Sequence, residues 1–96
     1  MAVVKLDTTA ISEEELLVQV RELNDYGEND LDDPKLKALI VDAKNYLRIN
    51  EVDELLVNSV SAVNVIAYYV DDMMRKVGIS NYVEQRIGQL RMWKNV

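Results

Sequence analysis

Histidine and cysteine, the side chains that most often move protons or form covalent intermediates near neutral pH, do not occur in this sequence. Their absence removes a Ser-His-Asp set, an HExxH metal motif, a zinc finger, a thiol nucleophile and any disulfide. Carboxylates are plentiful at seventeen, and they run together in Ser12-Glu13-Glu14-Glu15 and Asp32-Asp33. Paired carboxylates do acid–base work only where burial or a close neighbour drives their pKa values apart. These pairs fall in loops and first helical turns, open to water. The three glycines, Gly27, Gly78 and Gly88, build no phosphate-cradling loop. No catalytic, cofactor-binding or metal-ligating residue is assigned, and an enzyme is not expected.

Three other constellations carry recognition chemistry. The stretch Asp25-Tyr26-Gly27-Glu28-Asn29-Asp30-Leu31-Asp32-Asp33 is rich in oxygen ligands, but it lacks the glycine at the sixth position that an EF-hand register needs. It is expected to be a solvated loop. Lys37, Lys44 and Arg48 fall within about 40° of one another on a helix and form a basic flank. Tyr82, Arg86, Gln89 and Trp93 follow one another at spacings of four, three and four, with Tyr68 a further outward aromatic. Tyr and Trp beside Arg is the composition of protein–protein hot spots, because rigid rings bury much area at little entropic cost.

Four helices are expected to position these residues. The first follows Ser12, whose hydroxyl stands three residues before Glu15 in a capping box, and three acids suit the positive end of the helix dipole. Leu16, Leu17, Val20 and Leu23 give it an apolar face. Asp33 as cap and Pro34 at the first helical position open the second, with Leu36, Leu39, Ile40, Ala43 and Leu47 along one stripe. The third and most apolar helix begins between Glu54 and Ser61 and runs to Val77, with Gly78 supplying the left-handed cap. Val63, Ile66, Ala67, Val70, Met74 and Val77 mark its core face, while Val65 and Tyr68 point the other way, so burial on two faces is expected. Asp71 with Arg75 and Asp72 with Lys76 are acid-first i,i+4 pairs. The fourth runs from Ser80 or Asn81 to about Trp93, with Val83, Ile87 and Leu90 inward. The expected class is all-α, a small bundle of about four helices with a long apolar third helix. Residues 1–96 make a single domain and 1–10 a flexible arm.

A chain of 96 residues buries only about 60–65% of its unfolded surface, yet 49% of its residues are hydrophobic. Another chain is expected to cover part of that surplus. The N-terminal residues lack a signal-peptide layout and no apolar run reaches membrane-span length, so a soluble, intracellular origin is expected. The net charge of −6 is uneven. Residues 1–33 hold ten acids against two bases, 34–60 hold four of each, and 61–96 hold three acids and five bases. A nucleic-acid footprint would need clustered cations. An acidic region and a basic one on the same chain suit contact between identical subunits.

The order of features resembles the small head-to-tail connector, or head-completion adaptor, proteins of tailed bacteriophages, over roughly residues 10–93. The likeness is sharpest at Asp32, Asp33, Leu36, Leu39, Ile40, Ala43 and Leu47, an acidic cap followed by an apolar helical stripe that ends in a turn. Where members often carry an aromatic-acid-x-Arg stretch late in the third helix, this chain has Tyr68-Tyr69-Val70-Asp71-Asp72. The resemblance implies a structural virion protein of the head-tail junction, assembled in the host cytoplasm. It would form a ring of usually about twelve copies. The ring docks on the portal, extends the DNA channel without binding DNA specifically, and receives the next head-completion or tail protein. No membrane and no cofactor are implied. Candidate subunit-interface residues are Glu14, Glu22, Lys37, Lys44, Arg48, Tyr68, Tyr82, Arg86 and Trp93. The alternative is a small acidic regulatory or inhibitory protein that masks a basic partner surface by DNA mimicry.

Overall fold

The computed structural model describes residues 6–27 and 29–93. Five α-helices are found there: α1 (Glu13–Asn24), α2 (Asp33–Ile49), α3 (Glu54–Val57), α4 (Val63–Arg75) and α5 (Asn81–Met92). A 3-10 turn, Val60–Ala62, leads directly into α4. Among the described residues there is no strand, only an isolated antiparallel bridge between Ala10 and Ser59. The fold is all-α.

Side chains start most of these helices. Ser12 accepts the Glu15 N–H at 3.1 Å, and Ser80 accepts that of Val83 at 3.4 Å. For α2 the cap is Asp32, one residue earlier than expected, accepting the Lys35 N–H at 3.0 Å. Asp33 is instead the first helical residue, and its carboxylate reaches Arg21 of α1 at 2.6 Å.

Three helices end in the same way. Asp25, Glu51 and Lys76 each take the left-handed conformation, at φ 55°, 67° and 58°. Each N–H donates to the carbonyl three residues back, and the next residue's N–H donates to the carbonyl five back: Tyr26 to Arg21, Val52 to Leu47, Val77 to Asp72. These are Schellman caps built on non-glycine residues. Gly78, the expected cap of the apolar helix, also has positive φ but lies beyond the cap.

The long third helix of the sequence expectation is broken. Asn58 turns its amide onto the Glu54 carbonyl at 3.1 Å, and the Ser59 hydroxyl donates to Leu56 O at 2.8 Å and accepts the Ser61 N–H at 3.2 Å. Such side-chain bonds compete with helix propagation. The incoming chain also claims this backbone: Val60 N–H donates to Thr9 O at 2.9 Å and Ile11 N–H to Asn58 O at 3.0 Å. Residues 6–10, expected within a flexible arm, are therefore pinned, with Ser61 Oγ donating to Asp7 O at 2.6 Å. Residues 1–5 of that arm lie outside the described residues.

The apolar helix is α4, and α1, α2 and α5 all pack on it. Leu16 and Val20 of α1, Leu36, Ile40, Ala43 and Leu47 of α2, and Val83, Ile87 and Leu90 of α5 are buried as expected. Burial of α4 on more than one face also holds: Val65 is buried along with Val63, Ile66, Ala67 and Val70. Leu23, Met74 and Val77, assigned inward from their spacing, are exposed. Leu23 sits at the end of α1 where no helix covers it, and Val77 lies past the end of α4. Asp72 is buried and accepts the Ser80 N–H at 2.9 Å rather than pairing with Lys76, whereas Asp71–Arg75 forms as expected at 2.9 Å.

Two stability outcomes follow from these positions. Ile66→Ala, at a site 1% exposed, should cost about 2–5 kcal/mol in chemical denaturation, against under about 0.5 kcal/mol for exposed Lys37→Ala. Lys76→Gly should raise stability by about 0.5–1 kcal/mol, because relief of left-handed strain exceeds the backbone entropy lost. The matching Gly78→Ala should lower it.

Candidate functional site

One sector of α4 is left uncovered. Asn64, Tyr68, Asp71 and Arg75 recur every three or four residues and form the floor of an open groove of about 630 Å³. Leu23 and Asn24 of α1 make one wall, and Val77, Ser80 and Tyr82 the other. Long-range hydrogen bonds set the spacing of these walls. Asn24 Nδ2 donates to Ala67 O at 2.9 Å, Tyr26 Oη donates to Asp71 Oδ1 at 2.7 Å, and the Ser80 N–H is held by buried Asp72.

Tyr68 and Tyr82 meet here across two helices, with ring centroids 4.1 Å apart and planes tilted by 31°. Both remain exposed, at 49% and 38%, beside exposed Leu23 and Val77. Burial, and then the bond to the Asp71 carboxylate, push the Tyr26 phenol well above its ordinary value, so it stays a proton donor at any physiological pH. Asp71 is held by both Tyr26 and Arg75, and buried Asp72 accepts from the Ser80 N–H. The groove presents the two ring faces and the aliphatic edges of Leu23 and Val77 together with the polar groups of Asn64, Asp71 and Arg75, a mixed surface of the kind another protein's side chains can cover.

The expected basic flank resolves into three different environments. Lys44 was expected to be exposed but is 9% exposed; its stem lies along the α1–α2 seam and its Nζ donates to Asn58 Oδ1 at 3.0 Å. Arg48 grips Glu54 with Nε at 2.9 Å and Nη2 at 2.7 Å, and reaches Asn45 at 2.9 Å. Only Lys37 of the three is exposed and makes no ion pair among the described residues. The aromatic stripe divides similarly. Tyr82 faces the groove, whereas Arg86 bonds Gln89 at 2.9 Å and Ser61 O at 3.5 Å, and half-buried Trp93 packs against the domain's own core. Glu14 and Glu22 are exposed on the outer face of α1.

The acidic loop is held by its own contacts. Asp30 accepts the Gly27 N–H at 2.9 Å, Asp32 caps α2 and Asp33 pairs with Arg21. Glu28 lies outside the described residues. The groove residues Leu23, Asn24, Asn64 and Val77, and Tyr26 that bonds to its floor, were not singled out as site residues from the sequence. A usable signal existed in Leu23 and Val77, apolar residues at helix ends where the core is thinning. Comparison of this chain with protein-family models, with curated proteins and with solved structures gives no match.

The Arg48–Glu54 pair makes stability pH-dependent in a defined window. The Arg48 guanidinium, and then the Asn58 amide, hold the Glu54 carboxyl at about 2, below its ordinary 4.5. A carboxyl depressed in the folded state contributes stability above the unfolded value and loses it as pH falls through the folded one. The parent's stability to denaturation should therefore fall from about pH 4.5 down to about 2 by an amount that Glu54→Gln lacks. Because the Glu54 side chain is 60% exposed, solvent screening should keep that difference under about 1 kcal/mol.

Proposed function

We propose that this chain is a structural subunit of a tailed-bacteriophage head-tail connector. In this reading identical copies form a ring that docks on the portal, extends the DNA channel and receives the next head-completion or tail protein. The observation that carries the assembly role is the Tyr68–Tyr82 pair, two exposed aromatic rings in close contact in an open groove. Exposed aromatics on a rigid floor mark sites where another protein adds its own apolar surface. The phage assignment draws on the sequence resemblance around Asp32, Asp33 and the stripe Leu36, Leu39, Ile40, Ala43 and Leu47. The all-α fold is compatible with it, and all of these apolar residues are buried or half-buried on α2.

Masking of a basic surface by DNA mimicry has less support. A mimic needs acids spread over one face, whereas Asp32, Asp33 and Glu54 are engaged in caps and ion pairs within the chain.

The experiment is to purify virions and filled heads from cells producing this chain and to measure it there by quantitative mass spectrometry. The chain should be present at a fixed ratio to portal subunits. Tyr68→Ala and Tyr82→Ala together should lower its incorporation by about tenfold while circular dichroism stays helical, as loss of aromatic anchors does. Absence of the parent chain from both virions and heads would overturn the connector role.

A further inference from the structure

Two helix faces of this chain set an exposed valine beside charge of opposite sign. On α1, Glu14, Val18 and Glu22 follow one another at spacings of four, and Val18 is 47% exposed between the two carboxylates. On α2, Lys37 and Val41 stand four apart, and Val41 is 54% exposed beside that lysine; Lys44, the next basic residue along, is buried and bonded to Asn58. An exposed Val inside a charged stripe is out of phase with each helix's buried face, so the chain's own core explains neither.

The α2 stripe also edges a shallow apolar groove of about 260 Å³, floored by Leu16, Leu17 and Ile40 and bounded by Lys37, Val41, Lys44 and, at one end, Glu13. We propose that this groove receives α1 of a second copy of the chain, with Val18 seated against Val41 and a carboxylate of the Glu14 and Glu22 pair beside the exposed Lys37 ammonium group. The proposal rests on the reading of the chain as a self-assembling subunit and names the surface by which copies join. Charge selects the pairing: two α1 stripes repel through Glu14 and Glu22, and two α2 faces repel through Lys37. Like-with-like contact is disfavoured, and α1 meets α2. Donor and acceptor patches differ, so the contact can repeat from copy to copy as a ring requires. Val18 sits over Val41 whichever way α1 runs along α2.

The sequence contains no cysteine, so introduced thiols report the contact alone. Val18→Cys protein is mixed at high concentration with Val41→Cys protein and oxidised, with helicity of each checked by circular dichroism. Both sites are exposed, so the variants should fold. The mixed disulfide should exceed either homodimer, and a control mixture of Val18→Cys with Leu55→Cys, by about tenfold. Leu55 is comparably exposed at 49% and lies on neither stripe. Adding Lys37→Glu to the Val41→Cys chain should reduce the mixed product about tenfold, and Glu14→Lys with Glu22→Lys in the Val18→Cys chain should recover part of it. Raised salt should weaken the parent pairing, since these rim charges are screened. A mixed disulfide no more abundant than the Leu55→Cys control would overturn the proposal. Virion incorporation is measured separately, so a chain found in virions whose cysteines fail to pair removes this contact and leaves the connector role. Pairing by a chain absent from virions does the reverse.

Discussion

Val63, Val65, Ile66, Ala67 and Val70 distribute buried apolar surface around most of the circumference of α4, and a helix of that kind must be covered from several directions. Among the described residues three other helices are long enough to do it. α1, α2 and α5 each spend their apolar stripe on α4, leaving one narrow sector, Asn64, Tyr68, Asp71 and Arg75, without cover. The groove is thus the remainder after the core has been closed. Its rigidity comes from the same source as the fold: Asn24, Tyr26 and Asp72 tie α1 and the start of α5 to α4 by hydrogen bonds of 2.7–2.9 Å. Loss of any one would loosen core and groove together.

Much of this was legible from residue order, and what was not has identifiable causes. Ser12 and Ser80 announced their helices because an N-cap is a local bond between residues three apart. The stripes Leu36–Leu47 and Val83–Leu90 were legible because period and burial agree along a regular helix. The end of the apolar helix was harder. Lys76, two residues ahead of the expected Gly78, occupies the left-handed position that glycine would hold without strain, so the usual punctuation misleads there. The break between α3 and α4 was hidden for a different reason. The sequence leaves the start of the apolar helix open between Glu54 and Ser61, and it takes the incoming Thr9–Ile11 backbone, far away in sequence, to make Asn58 and Ser59 bond outside the helical pattern. Tyr68 and Tyr82 could each be recognised as outward aromatics, but their meeting depends on how α5 crosses α4, which no local rule encodes.

Charge shows the same division between local and tertiary causes. The first third of the chain holds ten acids, yet Asp30, Asp32 and Asp33 are occupied by a turn, a cap and Arg21. Of the three clustered cations, Lys44 is drawn under Asn58 and Arg48 is clamped by Glu54. Formal charge therefore overstates what the surface offers. Among the exposed charges that make no ion pair among the described residues, Glu14 and Glu22 on α1 and Lys37 on α2 stand beside an exposed valine.

α1 belongs to both surfaces. Its Leu23 edge walls the aromatic groove, while Glu14, Val18 and Glu22 lie roughly 100–180° around the helix from that edge at 100° per residue. In the proposed assembly a subunit can hold a neighbouring copy along one side of α1 and a different protein along the other without steric conflict. Because α1 is already fixed to α4 through Asn24 and Tyr26, each surface is presented without rearrangement of the other, so neither contact has to meet the ordering cost of a mobile α1.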